Sequence, residues 1–249
     1  MNNVKTEKNI ELAYELFSTL GIGGYIEPQN VPIIEKILND CAVDGADYPD
    51  REKVLLKVIE LASDNINSDS LYIISKAYSW AKVKYNKEAI RYLNLYLESG
   101  VSNYAISKTV GINNPESSRK YMHLADIYMA LGEKYIIDYD YENALKSFNM
   151  MLENDELSRA PYGRQLPYLK IADTYRRMNR LDASIRTLEK AKYPENVFDK
   201  ADDIFTYDIE KERKDFYEII EKFLQDYKDK KERGYIYRPR NNKGKKDDK

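Results

Sequence analysis

His123 is the single histidine and Cys41 the single cysteine in 249 residues. Metal centres built from paired His or Cys ligands are therefore excluded, as is an intramolecular disulfide. Any Ser–His or Cys–His arrangement would have to use His123. That residue sits beside Leu124 within an apolar helical pattern, so it reads as a structural histidine. Gly21-Ile22-Gly23-Gly24 invites comparison with phosphate-binding loops, but no strand pattern precedes it and no Gly-Lys-Ser or Gly-Lys-Thr follows. It reads as a helix stop and tight turn. Carboxylates gather at Asp44, Asp47 and Asp50, and again at Asp138, Asp140 and Glu142. The second group could face a hard cation, yet it lacks the glycine and distal Glu of a calcium loop. Loop solvation and N-capping account for both groups. No catalytic, metal or cofactor constellation emerges, and a non-enzymatic role is expected.

The elements that carry these residues are helical. Apolar residues make up 43% of the chain and charged residues 33%, enough for a core with solvated helix faces. The 10 Gly and 8 Pro are read as clustering between apolar-periodic segments, which favours helices. No stretch approaches 18 uncharged apolar residues, and Met1 to Leu20 has no signal-peptide core, so a cytoplasmic protein without a membrane span is expected. The net charge of −2 gives no global pull toward nucleic acid, but it hides an asymmetry. Between Lys228 and Lys249, ten Lys or Arg face four Asp or Glu.

Ile10, Ala13, Leu16, Phe17 and Leu20 recur at three- and four-residue steps, followed by Gly21 at a C′ position. Ile33, Ile34, Ile37, Leu38 and Cys41 follow an Asn30 N-cap; Val54, Leu55, Val58, Ile59 and Ala62 follow Asp50. These predict an N-terminal helical bundle over 1–65. Further on, Ile74-Ser75-x-x-Tyr78, Leu124-Ala125-x-x-Tyr128 and Ile171-Ala172-x-x-Tyr175 repeat an aliphatic–small–x–x–Tyr pattern. Each is followed by a partner: Ala89-Ile90-x-x-Leu93, Ala144-Leu145-x-x-Phe148 and Ser184-Ile185-x-x-Leu188. Small residues in both halves let two helices approach closely, and the Tyr and Leu or Phe fill the space between them.

These pairs resemble the tetratricopeptide repeat, with Leu-Gly-x-x-Tyr in its first helix and Ala-x-x-x-Phe in its second. In this register the first copy carries about two extra residues before Ala89, and the second about seven, from Glu133 to Tyr139. The expected fold is all-α: an irregular tetratricopeptide-like α-solenoid of antiparallel pairs over 66–195, behind the N-terminal bundle. The 196–233 stretch supplies C-terminal capping helices, one carrying Phe198, Ala201, Ile204 and Phe205, the longer one Ile209, Phe216, Ile220, Phe223 and Tyr227. The polar tail 234–249 is expected to be disordered.

The resemblance implies a concave face lined by first helices, on which extended peptides lie. The residues facing it are expected to be Tyr72, Lys76 and Trp80, then Arg119, Met122 and Asp126, then Asp173, Arg176 and Arg177. This mixture suits a peptide or partner helix with acidic and apolar side chains. The asparagines of the family's chaperone-tail clamp are missing. A second class of function rests on the tail, where Tyr235, Tyr237, Arg238, Arg240, Lys243, Lys245 and Lys246 interleave rings and cations. Such a segment stacks on bases and neutralises phosphates, the equipment of a nucleic-acid-associated regulator.

Overall fold

A computed structural model describes residues 34–35, 48–63, 66–81, 83–108, 116–158, 165–192 and 209–239. The expectations for 21–24, Cys41, most of the N-terminal bundle, the 198–205 stripe, Arg240, Lys243, Lys245 and Lys246 lie outside them, as does the side chain of Trp80. All regular structure among the described residues is helical: α1 (Tyr48–Ser63), α2 (Ser68–Trp80), α3 (Asn86–Ser99), α4 (Asn103–Lys108), α5 (Glu116–Ile137), α6 (Tyr141–Ser158), α7 (Gln165–Arg177), α8 (Leu181–Lys192) and α9 (Ile209–Glu232), with a 3-10 turn at Val83–Tyr85. The all-α expectation is met.

Packing follows chain order. α1 packs on α2, α2 on α3, α3 on α5 past the short α4, and so on to α9, which also returns to α7. Local capping chemistry sets several of the boundaries. Asn67 accepts from the backbone of Asp69 and Ser70, and Ser70 returns a bond to it, closing a capping box at the start of α2. Asp140 accepts from Asn143 at the head of α6, the N-capping role expected of that carboxylate. α1 begins at Tyr48, ahead of the expected Asp50 cap, and buries Leu55, Val58, Ile59 and Ala62 as its pattern requires.

The paired helices correct the repeat register. Gly132, not Ala125, stands opposite the second-helix aromatic: a Cβ built on Gly132 would lie 2.4 Å from Phe148 Cε1. Gly132 precedes Ala144 by twelve residues and Phe148 by sixteen, and the same spacing links Ala172 to Ser184 and Leu188, and Ala77 to Ala89 and Leu93. All of these except Gly132, which is also buried, belong to the most buried residues of the chain. The expected insertions in the turns are therefore absent. Of the seven residues assigned to the second turn, Glu133 to Ile137 continue α5 and only Asp138 and Tyr139 belong to the turn.

The turns that close α5 and α7 share one geometry. Tyr139 (φ 61°) and Asn179 (φ 60°) adopt the left-handed conformation. In both, the following residue donates back to the tyrosine ending the pattern, Asp140 N to Tyr135 O at 2.9 Å and Arg180 N to Tyr175 O at 2.8 Å. Such three-residue turns reverse the chain and leave the helices of each pair antiparallel.

Side-chain size is complementary across each pair, the smallest first-helix residue facing the largest second-helix one. Gly132→Ala tests this. On an open helix face alanine would stabilise by roughly 1 kcal/mol. Against Phe148 it is expected to destabilise by about 1–2 kcal/mol net, read as a lowered urea midpoint.

The capping helix α9 buries Ile220, Leu224 and Tyr227 against Leu188 and Ala191. Leu224 takes the place expected for Phe223, which stays exposed with its ring edge-on to Tyr227.

Candidate functional site

α7 places Asp173, Arg176 and Arg177 on one face, since residues three and four apart are neighbours on a helix. The Asp173 carboxylate accepts from Arg176 Nη2 at 2.6 Å and Nε at 2.8 Å, and from Arg177 Nε at 2.7 Å. Burial works to raise the Asp173 carboxyl, but the two guanidinium groups outweigh it and hold the pKa below its ordinary value. The arginines are thereby fixed as planar, oriented donors.

They are covered by the chain itself. Gly234 (φ 64°) ends α9 in the left-handed conformation, with Gly234 N donating to Lys231 O and Tyr235 N to Lys230 O. This Schellman closure turns the chain back toward α7. Arg176 Nη1 then donates to the Tyr235 hydroxyl at 3.1 Å and Arg177 Nη1 to the Tyr237 hydroxyl at 3.2 Å. Both guanidiniums lie over the Tyr237 ring, 5.0 and 5.6 Å from its centre. Asn179 grips the backbone of the same residue, accepting from Tyr237 N at 2.6 Å and donating to Tyr237 O at 3.4 Å. Burial pushes the neighbouring Tyr227 phenol up to about 12, helped by the Asp173 charge. Burial and the adjacent Tyr237 raise Tyr141 in the same sense. Tyr235 and Tyr237, expected to be disordered with the rest of the tail, are instead held on α7 and its turn because two rings and one backbone unit find partners there.

The second pair contributes differently from expectation. By the corrected spacing, Met129, Glu133, Ile136 and Ile137 stand where Leu169, Asp173, Arg176 and Arg177 stand in the third pair, forty residues on. Lys170 pairs with Glu133, a surface link between α7 and α5. Arg119 and Met122 lie two or more turns closer to the start of α5 and do not join this level. Asp126 is open to solvent, and partial desolvation by the surrounding protein raises its carboxyl pKa.

In the first pair, Tyr72 and Lys76 leave the expected groove altogether. Tyr72 is buried, its hydroxyl donating to Glu35 Oε1 at 2.6 Å. Lys76 pairs with the same carboxylate, and Tyr104 donates to Glu35 Oε2 at 2.8 Å. Burial alone would raise the Glu35 carboxyl; the three donors lower it instead. These bonds fasten Glu35 to α2 and α4. Trp80 is the last residue of α2.

His123 is buried beside this cluster. Its Nε2 lies 2.8 Å from the Tyr96 hydroxyl, which accepts from Ser102 N at 3.1 Å. The direction of the bond between the Tyr96 hydroxyl and Nε2 follows the imidazole tautomer. Burial and the Lys76 ammonium push its pKa down to about 4, which suits the structural role read from the sequence. Among the described residues no group of three His, Cys, Asp or Glu could hold a metal ion. None of the described helices is long and apolar enough to cross a membrane.

Asn179, Gly234 and Ile137 were missed by sequence reasoning. Signals existed for two of them: Gly234 follows the charged end of an amphipathic helix, and Asn179 occupies the turn position that tolerates positive φ. No protein-family model, curated protein or solved structure matches the chain.

Proposed function

We propose that this protein is a non-catalytic cytoplasmic adaptor or scaffold that holds an extended peptide segment of a partner protein on the first helices of three tetratricopeptide-like pairs, stacked as an irregular α-solenoid. The observation that carries this reading is the segment 235–239, which lies against α7 through contacts that a separate peptide could equally make. The corrected register adds support. Leu131-Gly132-x-x-Tyr135 and Ala144-x-x-x-Phe148 match the family pattern at every named position. The Lys170–Glu133 ion pair links α7 to α5, and the bond from Lys134 Nζ to Ser79 O at 2.7 Å links α5 to α2, which is compatible with this reading.

The test is affinity capture from the native cell with the full chain and with Arg176→Ala/Arg177→Ala. Specific co-purifying proteins lost from the double variant, with helical content unchanged by circular dichroism, are the expected result. An identical set of captured proteins would remove the groove from consideration. Binding to single-stranded RNA that weakens with salt and vanishes without residues 234–249 would favour the basic tail as the functional element. The engagement of Tyr237 with two arginines counts against that reading, because its ring face is already occupied.

A further inference from the structure

Residues i and i+2 of an extended chain share a face. Tyr235 and Tyr237 both turn to the arginines of α7, while Ile236 between them points outward and is 63% exposed. Each phenol oxygen meets its own guanidinium, the Tyr237 ring lies under both, and its peptide N–H and C=O are bracketed by the Asn179 amide. Asp173 aims both arginines, and Asn179 is presented by a turn of defined geometry. Asp173 holds the two arginines and local backbone bonds hold the turn that carries Asn179, so these parts of the receptor are organised independently of the tail, while the Asn179 amide bonds to Tyr237 itself.

We propose that residues 235–239 are an intramolecular stand-in for a ligand: the surface formed by Asp173, Arg176, Arg177 and Asn179 is a receptor for an extended Tyr-x-Tyr segment of a partner protein, and the chain's own tail keeps it closed until such a segment displaces it. This rests on the peptide-groove reading and names the ligand class and its regulation. Selectivity follows from chemistry. Phenylalanine would keep the ring stacking and lose both hydroxyl bonds, and an acidic side chain in place of either tyrosine would compete with Asp173 for the arginines. Tethering places the tail at an effective concentration on the order of millimolar, so a free peptide of equal affinity would be largely excluded from the native chain.

A fluorescent peptide with the sequence of residues 234–240 (Gly-Tyr-Ile-Tyr-Arg-Pro-Arg) is titrated against the native full chain and against Tyr235→Ala/Tyr237→Ala. Saturable binding to the double variant, at least tenfold weaker binding to the native chain, and loss of binding when Asn179→Ala is added to the double variant are expected. Tyr237→Ala alone serves in its place if the double variant loses helicity. Equal binding to native and variant chains overturns the strap. Binding to neither chain overturns the receptor assignment, leaving the groove reading to the capture experiment, which does not depend on this peptide. A native chain that dimerises in sedimentation through exchange of its tails would make the occupant a second copy and overturn the partner assignment.

Discussion

Phe148→Ala is expected to cost about 3–5 kcal/mol, the largest loss from a single truncation in the described helices. The ring is 1% exposed and occupies the space that Gly132 leaves on the facing helix. Removing it opens a cavity whose walls cannot close, since Ala144 already brings the helices to their closest approach. The damage reaches beyond the pair, because Ile171 of α7 shares this cluster. Guanidinium unfolding followed by circular dichroism reads the loss. The companion experiment is more discriminating. Leu93 and Leu188 hold the equivalent place in the other pairs, each opposite an alanine. Gly132→Ala combined with Phe148→Leu therefore recreates the combination used there. The two substitutions are expected to be less costly together than the sum of their separate effects, by roughly 1 kcal/mol or more of coupling. Simple additivity would show that the two residues do not fill one space.

Acidification from pH 7.5 to 5 is expected to remove about 2 kcal/mol of stability through His123 alone. Burial and Lys76 place the folded-state pKa near 4, below the ordinary 6.5. Between those values the unfolded chain binds a proton that the folded chain refuses, so stability is full above pH 6.5 and falls as pH drops toward 4. Tyr96, Tyr72, Lys76 and Glu35 face the imidazole; burial and the Lys76 charge disfavour its protonated form, and Glu35 offsets them only in part. Glu35, whose pKa is lowered, gives up stability only below the ordinary carboxylate range. Asp126 is shifted upward and opposes the loss in the carboxylate range. His123→Gln retains an acceptor for the Tyr96 hydroxyl but cannot titrate. Its melting temperature is expected to be lower at pH 7.5 and much flatter down to pH 5. An equally steep dependence in that variant would assign the acid sensitivity elsewhere.

The all-helical architecture, the location of the three helix pairs and the presence of a long closing helix were legible in the sequence, because each rests on local periodicity. Apolar residues at three- and four-residue steps specify one buried face wherever the chain lies. The second-helix patterns around Ala89, Ala144 and Ser184 were placed in their correct register for the same reason. The first-helix register was not. α5 offers two overlapping patterns seven residues apart, Leu124-Ala125-x-x-Tyr128 and Leu131-Gly132-x-x-Tyr135, and seven residues return to nearly the same helix face. Only the contact of Gly132 with Phe148 distinguishes them, and that contact spans two helices.

The candidate surface divides in the same way. Asp173, Arg176 and Arg177 could be named from sequence because their mutual spacing is helical and their partnership is local. The destination of Tyr72 and Lys76 depended on a carboxylate more than thirty-five residues away, and that of Tyr235 and Tyr237 on arginines nearly sixty residues earlier. By itself the sequence determined which segments are helical and most of their apolar faces, since those follow from neighbours along the chain. Tertiary structure alone decided which cations remain available to a partner, because pairing a charge depends on what the fold brings within hydrogen-bond reach.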